Sequence, residues 1–300
     1  MSRRITYIGI DLGGARGKTT AVARLTAEFE AGSCALSPEV QEVRTRFSES
    51  QPWCDSALMD YLTKLTQQDE GLVIAVNAPL TVPACLRCQL TACPGQTECV
   101  DPAVVWLRTS GTELVAQAVA SDRDRIAAIP ATTGFVSHSF APSSPKRPPL
   151  VPYIHRISEV VLHYKHGAIP RDLMGKGTGP IAARASQLRR RLKPLGYKLN
   201  DNLLEVSPRA TVHSLFGPDK ARGYKRDGDP WETRASIVEG LDMAFSPTSR
   251  LSREEVLRND HCFEAVLSAY SAFLRERDGW KKPTEADEEL WDTDGLVWSV

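Results

Sequence analysis

Four cysteines, Cys85, Cys88, Cys93 and Cys99, fall within fifteen residues at the spacing Cys-x2-Cys-x4-Cys-x5-Cys. Tetrahedral zinc needs thiolates presented from short loops, and Cys-x2-Cys is its commonest half-site. A four-thiolate iron–sulfur cluster is the second reading, and unligated thiols or redox disulfides the third. Cys34, Cys54 and Cys262 stand alone in the sequence. A second group of residues carries oxygen. Asp11 ends the apolar run "ITYIGIDLG", where a carboxylate is either a turn cap or a divalent-metal ligand. Glu205 interrupts the apolar "LLEVSP", and Asp260 and Glu264, four residues apart, share one helix face. Near a helix N-terminus that acidic pair is also favoured by the dipole, by about 0.3–1 kcal/mol. His261 sits between them. Asn77 ends the apolar run "GLVIAVNAPL" at a place suited to a metal-binding carboxylate; it keeps the oxygen and lacks the charge.

A third group is basic. Residues 171–226 hold thirteen Lys or Arg against four Asp or Glu, whereas residues 254–300 hold five against twelve, in a chain of zero formal charge. A basic middle suits a local encounter with an anion better than a general polycation. Lys176 in "MGKGTGP" and Arg184, Arg189, Arg190 and Arg191 on "RASQLRRRL" are candidate phosphate clamps; the alternative is a solvated arginine face. "GIDLGGARGKTT" fails as a P-loop, because the motif puts four residues between its first glycine and Gly17, and the first position is Leu12. The same run resembles the first phosphate loop of the actin and sugar-kinase superfamily, without the second Asp-x-Gly-x-Thr segment.

These residues need elements to position them. "ITYIGIDLG", "KTTAVARLTAEFE" and "PEVQEVRTRF" read as three successive strands. "CDSALMDYLTKL" follows as a helix and "GLVIAVNAPL" as a strand buried on both faces. Helices are expected over "PAVVWLRTSGTELVAQAVASDRDRI", "ISEVVLHYK" and "PIAARASQLRRRL", with a proline-rich loop at 141–152. "NLLEVSP" is a short strand. "REEVLRNDHCFEAVLSAYSAFLRER" is the strongest helical pattern, capped by Ser252 with Glu255 three residues on. "DGLVWSV" is a closing strand. The order implies one mixed α/β domain over 1–300, with insertions at 81–103 (cysteine-rich) and around 141–200 (loop and basic helices). No apolar run approaches the ~18 residues of a membrane span. The absence of a signal-peptide pattern implies a cytoplasmic protein without stable disulfides.

The motifs "GIDLGG", "NAPLTVP", "EVSPRATVHSLFG", "NDHCFEAVLSAYSAFL" and "DGLVWSV", in this order over nearly the whole chain, resemble the family called domain of unknown function 429. Its members are predicted nucleases with a ribonuclease H-like fold. The resemblance implies magnesium or manganese held by acids from strand one, strand four and a late helix, hence Asp11, Asp260 and Glu264, with Glu205 as a further acidic position. Where the family has Asp-Ala-Pro-Leu this chain has Asn77-Ala78-Pro79-Leu80, which implies a weakened metal site. The expected function is divalent-metal-dependent phosphodiester hydrolysis in nucleic acid. The alternatives are a non-catalytic nucleic-acid-binding or adaptor protein and, further off, an actin-like kinase or ATPase.

Overall fold

The computed structural model describes residues 3–14, 19–29, 37–49, 55–69, 71–118, 150–167, 173, 175, 177–225 and 229–299. Most of the 141–152 loop, the end of the helix expected beyond residue 118, and Lys176, Cys34 and Cys54 lie outside them.

Strands β1 (Arg3–Asp11), β2 (Ala21–Phe29) and β3 (Glu39–Arg44) form an antiparallel meander, followed by helix α1 (Asp55–Gln68) and β4 (Leu72–Val76). Helices α2 (Ala84–Arg87) and α3 (Pro102–Trp106) flank the cysteine segment. Then come α4 (Ile157–His166), α5 (Gly179–Leu192), β5 (Leu203–Val206), α6 (Pro208–Gly223), α7 (Pro230–Gly240), β6 (Ala244–Phe245), α8 (Arg253–Arg258), α9 (Asp260–Asp278), α10 (Glu288–Asp294) and β7 (Val297–Trp298). The described strands make a mixed seven-stranded sheet in the order β6-β3-β2-β1-β4-β5-β7. β4 runs parallel to β1, and β5 parallel to β4. The fold is therefore α/β with helices on both faces, as the sequence predicts.

Strand periodicity divides the core in two. Ile8, Ile10, Val22, Ile74, Val76 and Leu203 face α1 and α5, which contribute Leu58, Leu62, Ala185, Leu188 and Leu192. Tyr7, Ala23, Leu25, Ala75 and Leu204 face the other way, onto α9. Helix α5 thus supplies a core layer, where an insertion was expected. Gly9 lies on the α9 face, and a Cβ there would sit 1.9 Å from the Ala265 carbonyl oxygen. Its missing side chain lets β1 and α9 touch along their backbones.

The pattern expected to form one helix over 253–277 is two helices. Asn259 is extended (φ −106°, ψ 111°), and its side-chain oxygen accepts from the backbone amides of His261 and Cys262. Asparagine is among the strongest N-caps, so the chain ends one helix and starts another there. Helix α6 was not expected from the sequence, although Ser207 followed by Pro208 is an N-cap and first-turn pair. No helix among the described residues is long and apolar enough to cross a membrane.

Candidate active site

Asp11 is the last residue of β1 and shares the face of Tyr7 and Gly9, so it points toward α9. Two residues above Gly9 along the strand is ~6.6 Å, and one helical turn above Ala265 is ~6 Å. The matched rises bring Asp11 to His261: its Oδ2 lies 2.6 Å from the imidazole Nδ1. Asn77 continues β4, its backbone amide donating to the Ile10 carbonyl at 2.8 Å. Its side-chain Nδ2 donates to Asp11 Oδ1, also at 2.8 Å. The Asp11 carboxylate is buried and has a donor on each oxygen.

Glu264, one turn beyond Asp260, is buried on the same side. It accepts from the Tyr224 hydroxyl at 2.7 Å and pairs with the Lys225 ammonium at 2.8 Å. Burial, then the negative field of Asp11, pushes its carboxyl pKa up, against the pull of Lys225. The hydrogen bond to Asp11 raises the His261 pKa, opposed by partial burial and helped by the fields of Asp260 and Glu264. Asp260 is half-exposed at the first turn of α9. Asp11, Asn77 and His261 are thus brought together at the carboxyl ends of β1 and β4, with Glu264 in the field of Asp11 and Asp260 in that of His261.

Glu205 is not among them. It pairs in register with Val76, whose side chain faces α1 and α5, so its own parity turns it away from Asp11. There it receives both nitrogens of the fully buried Arg156, at 2.6 and 2.9 Å, and the Leu80 backbone amide at 2.8 Å. Arg156 also binds Glu159 and Thr81. This network clamps the loop that follows Asn77, so Glu205 is a brace where a ligand was expected.

The basic helix divides in two. Arg184 donates to the Gly13 and Gly14 carbonyls and pairs with Asp55 at 2.5 Å. The glycine turn is thereby held by its carbonyls, while the Gly13 amide donates to Thr20. Arg189 donates to the Leu80 carbonyl at 3.1 Å. Both flank the buried Ala185–Leu188–Leu192 stripe, so both reach protein backbone; Arg190 and Arg191 lie on the exposed side.

Among the described residues, no three His, Cys, Asp or Glu side chains gather where they could hold one metal ion. Cys85, Cys88 and Cys93 are exposed and Cys99 half-buried, all as free thiols; Cys262 is a buried core thiol. Burial, then the fields of Cys99, Cys93, Cys88 and Asp101, raises the Cys85 pKa. At the acidic site the donor types, carboxylate and amide oxygen, suit one hard divalent cation. Each buried carboxylate is already neutralised by protein donors, the places a cation would take.

Sequence reasoning missed Tyr224 and Lys225, which precede no recognisable motif, and Arg156, whose role rests on contacts 49 and 75 residues away. Compared with family models, curated proteins and solved structures, the chain matches none. No family is assigned on that basis. What the site can do rests on its own chemistry.

Proposed function

We propose that the chain is a divalent-metal-dependent phosphodiesterase acting on nucleic acid, with an attenuated site on a ribonuclease H-like scaffold. The observation that carries this reading is the meeting of Asp11, Asn77 and the first turn of α9 at one sheet end, with Glu264 in the field of Asp11. The strand order around it, with β2 antiparallel and β4 and β5 parallel to β1, agrees with the scaffold implied by the sequence motifs. Asp11 and the Asn77 side-chain oxygen would hold the ion, with Asp260 and Glu264 drawn in by it, since as they stand no three acidic or histidine side chains among the described residues gather there. When bound, it would activate water and neutralise phosphate charge. The chain's own residues set the resting state. His261 keeps a proton at Nδ1 toward Asp11, the Asn77 amide donates where aspartate would repel, and Lys225 and Tyr224 hold Glu264.

The resting state attenuates the site, because a cation must displace donors already in place and gains no charge from Asn77. The test is cleavage of labelled single- and double-stranded DNA and RNA in magnesium and in manganese. Weak activity is expected, higher in manganese. Asn77→Asp should raise it about tenfold or more, the scale of changes to a metal's ligand surroundings. Asp11→Ala should abolish it; cleavage that survives Asp11→Ala overturns the reading. The same completed pairing favours a second reading, a nucleic-acid-binding protein without catalysis. Binding without cleavage, in the wild type and in Asn77→Asp alike, would establish that one.

A further inference from the structure

On the sheet face opposite Asp11, α1 and α5 leave part of the β2–β3 ribbon uncovered. A bulge between Arg24 and Leu25 shifts the register, so that Val40 and Val43 both point into the α9-side core. Arg24, Glu42 and Arg44 are left on the other face. Between them and α1 lies a cavity of about 580 Å³, and a second void of about 350 Å³ shares Arg24 and extends toward Arg4. The larger volume lies within the range of small-molecule sites.

The charges here are incompletely matched. Glu42 is fully used, accepting from Arg44 on one oxygen and from the Tyr61 hydroxyl on the other, at 3.0 Å. Asp60 is the other acid on the lining, against Arg24, Arg44 and Lys64. The Nε atoms of Arg24 and Arg44 are both buried without a hydrogen-bond partner. Those two atoms are closed off from solvent and from the cavity alike, so an anion in it would be met by the accessible ends of the two side chains, which line it. The Arg44 guanidinium is fixed 4.3 Å over the Tyr61 ring, which Phe47 supports at 5.7 Å. Burial, then the neighbouring Arg250 and Arg24 charges, lowers the Arg44 pKa despite the opposing pull of Tyr61.

We propose that this cavity binds a small organic phosphate of nucleotide size, its phosphate on Arg24 and Arg44 with Lys64 at the rim. Two guanidinium groups from adjacent strands and an ammonium from a helix line the cavity. A tetrahedral phosphate offers oxygens to all three, whereas a carboxylate offers two in one plane. The cavity is too large for the inorganic ion alone. The site stands apart from the proposed phosphodiesterase centre, and its test needs no catalysis.

Isothermal titration of the full chain with adenosine 5′-monophosphate, inorganic phosphate and malonate at one ionic strength tests the proposal. The nucleotide should bind more tightly than phosphate, and malonate about tenfold or more weakly than the nucleotide. Arg24→Gln should weaken nucleotide binding about tenfold or more, the loss of a charged hydrogen bond. Lys64→Ala, at an exposed position that the fold does not need, should weaken it severalfold, and Arg3→Ala should leave it unchanged. No binding of either phosphate at millimolar concentration, equal affinity for malonate, or unchanged binding in both Arg24→Gln and Lys64→Ala would overturn it.

Discussion

At Asp11 each carboxylate oxygen has its own donor, one from His261 and one from Asn77. An aspartate at position 77 would place a second negative charge against Asp11; the asparagine amide places a hydrogen there instead. Asparagine at this position therefore adds a bond to the protein where an aspartate would have added charge. A different residue gives the clearest pH signature. Burial, then His213 and Lys165, pushes His166 down to about 4 from its ordinary 6.5. His166 also lies 3.1 Å from the Ser299 hydroxyl and 3.4 Å from the His213 ring nitrogen. The fold prefers this imidazole neutral and the unfolded chain does not. Its contribution to stability is thus present above about 6.5 and lost as pH falls toward 4. Urea midpoints measured at pH 7 and pH 4.5 should show that loss, and His166→Gln should make it shallower. An unaltered pH profile in the variant would remove His166 from the account.

At the scale of elements, the break at Asn259 matters most. A single helix through 253–278 would not end beside Asp11, and His261 would present its amide to the preceding turn. The extended Asn259 backbone starts α9 afresh, and its side chain caps two of the amides that a new helix leaves open. Asn259→Ala should cost about 1 kcal/mol, within the usual 0.5–2 for a lost N-cap. If activity is found, it should fall further than stability, because the first turn of α9 carries Asp260 and His261. Thermal melts beside cleavage rates would separate the two effects. The sequence shows why this element was half legible. The apolar repeat of Phe263, Val266, Leu267 and Tyr270 marks the helix plainly, while "RND" carries the cap within a pattern that reads as continuous. Strand parity explains the other errors: "LLEV" shows a strand, but the face taken by Glu205 depends on register with β4, which no local pattern encodes. Asp11 and Asn77 were legible because each ends an apolar strand.

For the whole molecule, the open question is what holds the cysteine lobe. Leu90 and Val100 are exposed, as are three of the four thiols, so the segment has little core of its own. Arg108 fastens it by donating to the carbonyls of Gln96 and Thr97, both at 2.7 Å, and Cys99 at 3.3 Å. The Leu90 amide lies 3.5 Å from the Cys88 sulfur. Small lobes without a core are commonly stapled by a metal or disulfides. We expect about one zinc per chain to copurify, with an iron–sulfur cluster as the second possibility. Cys88→Ser should reduce the metal content and lower the melting temperature, as should chelation. Metal-free protein whose four thiols react freely would show a lobe held by Arg108 and its neighbours alone. The spacing of the thiols was legible in the sequence. The buried Arg156–Glu205–Glu159 network was not, since its members are ordinary charged residues until the fold encloses them. Arg156→Met should cost about 3–5 kcal/mol, the penalty for leaving buried carboxylates unpaired, read as a drop in the urea midpoint.

The contact between Asp11 and His261 joins residues 250 positions apart. At a synthesis rate of ~5–20 residues per second, the ribosome takes about 12–50 s to make the second after the first. From the completion of β3 at Arg44 until α9 is made, the face bearing Tyr7, Ala23 and Leu25 has no cover from the helix that closes it. A nascent chain halted before α9 would carry a formed but uncovered sheet, a species suited to chaperone capture and to aggregation. The strand end that carries Asp11 is therefore completed late, by the element that also covers this face of the sheet.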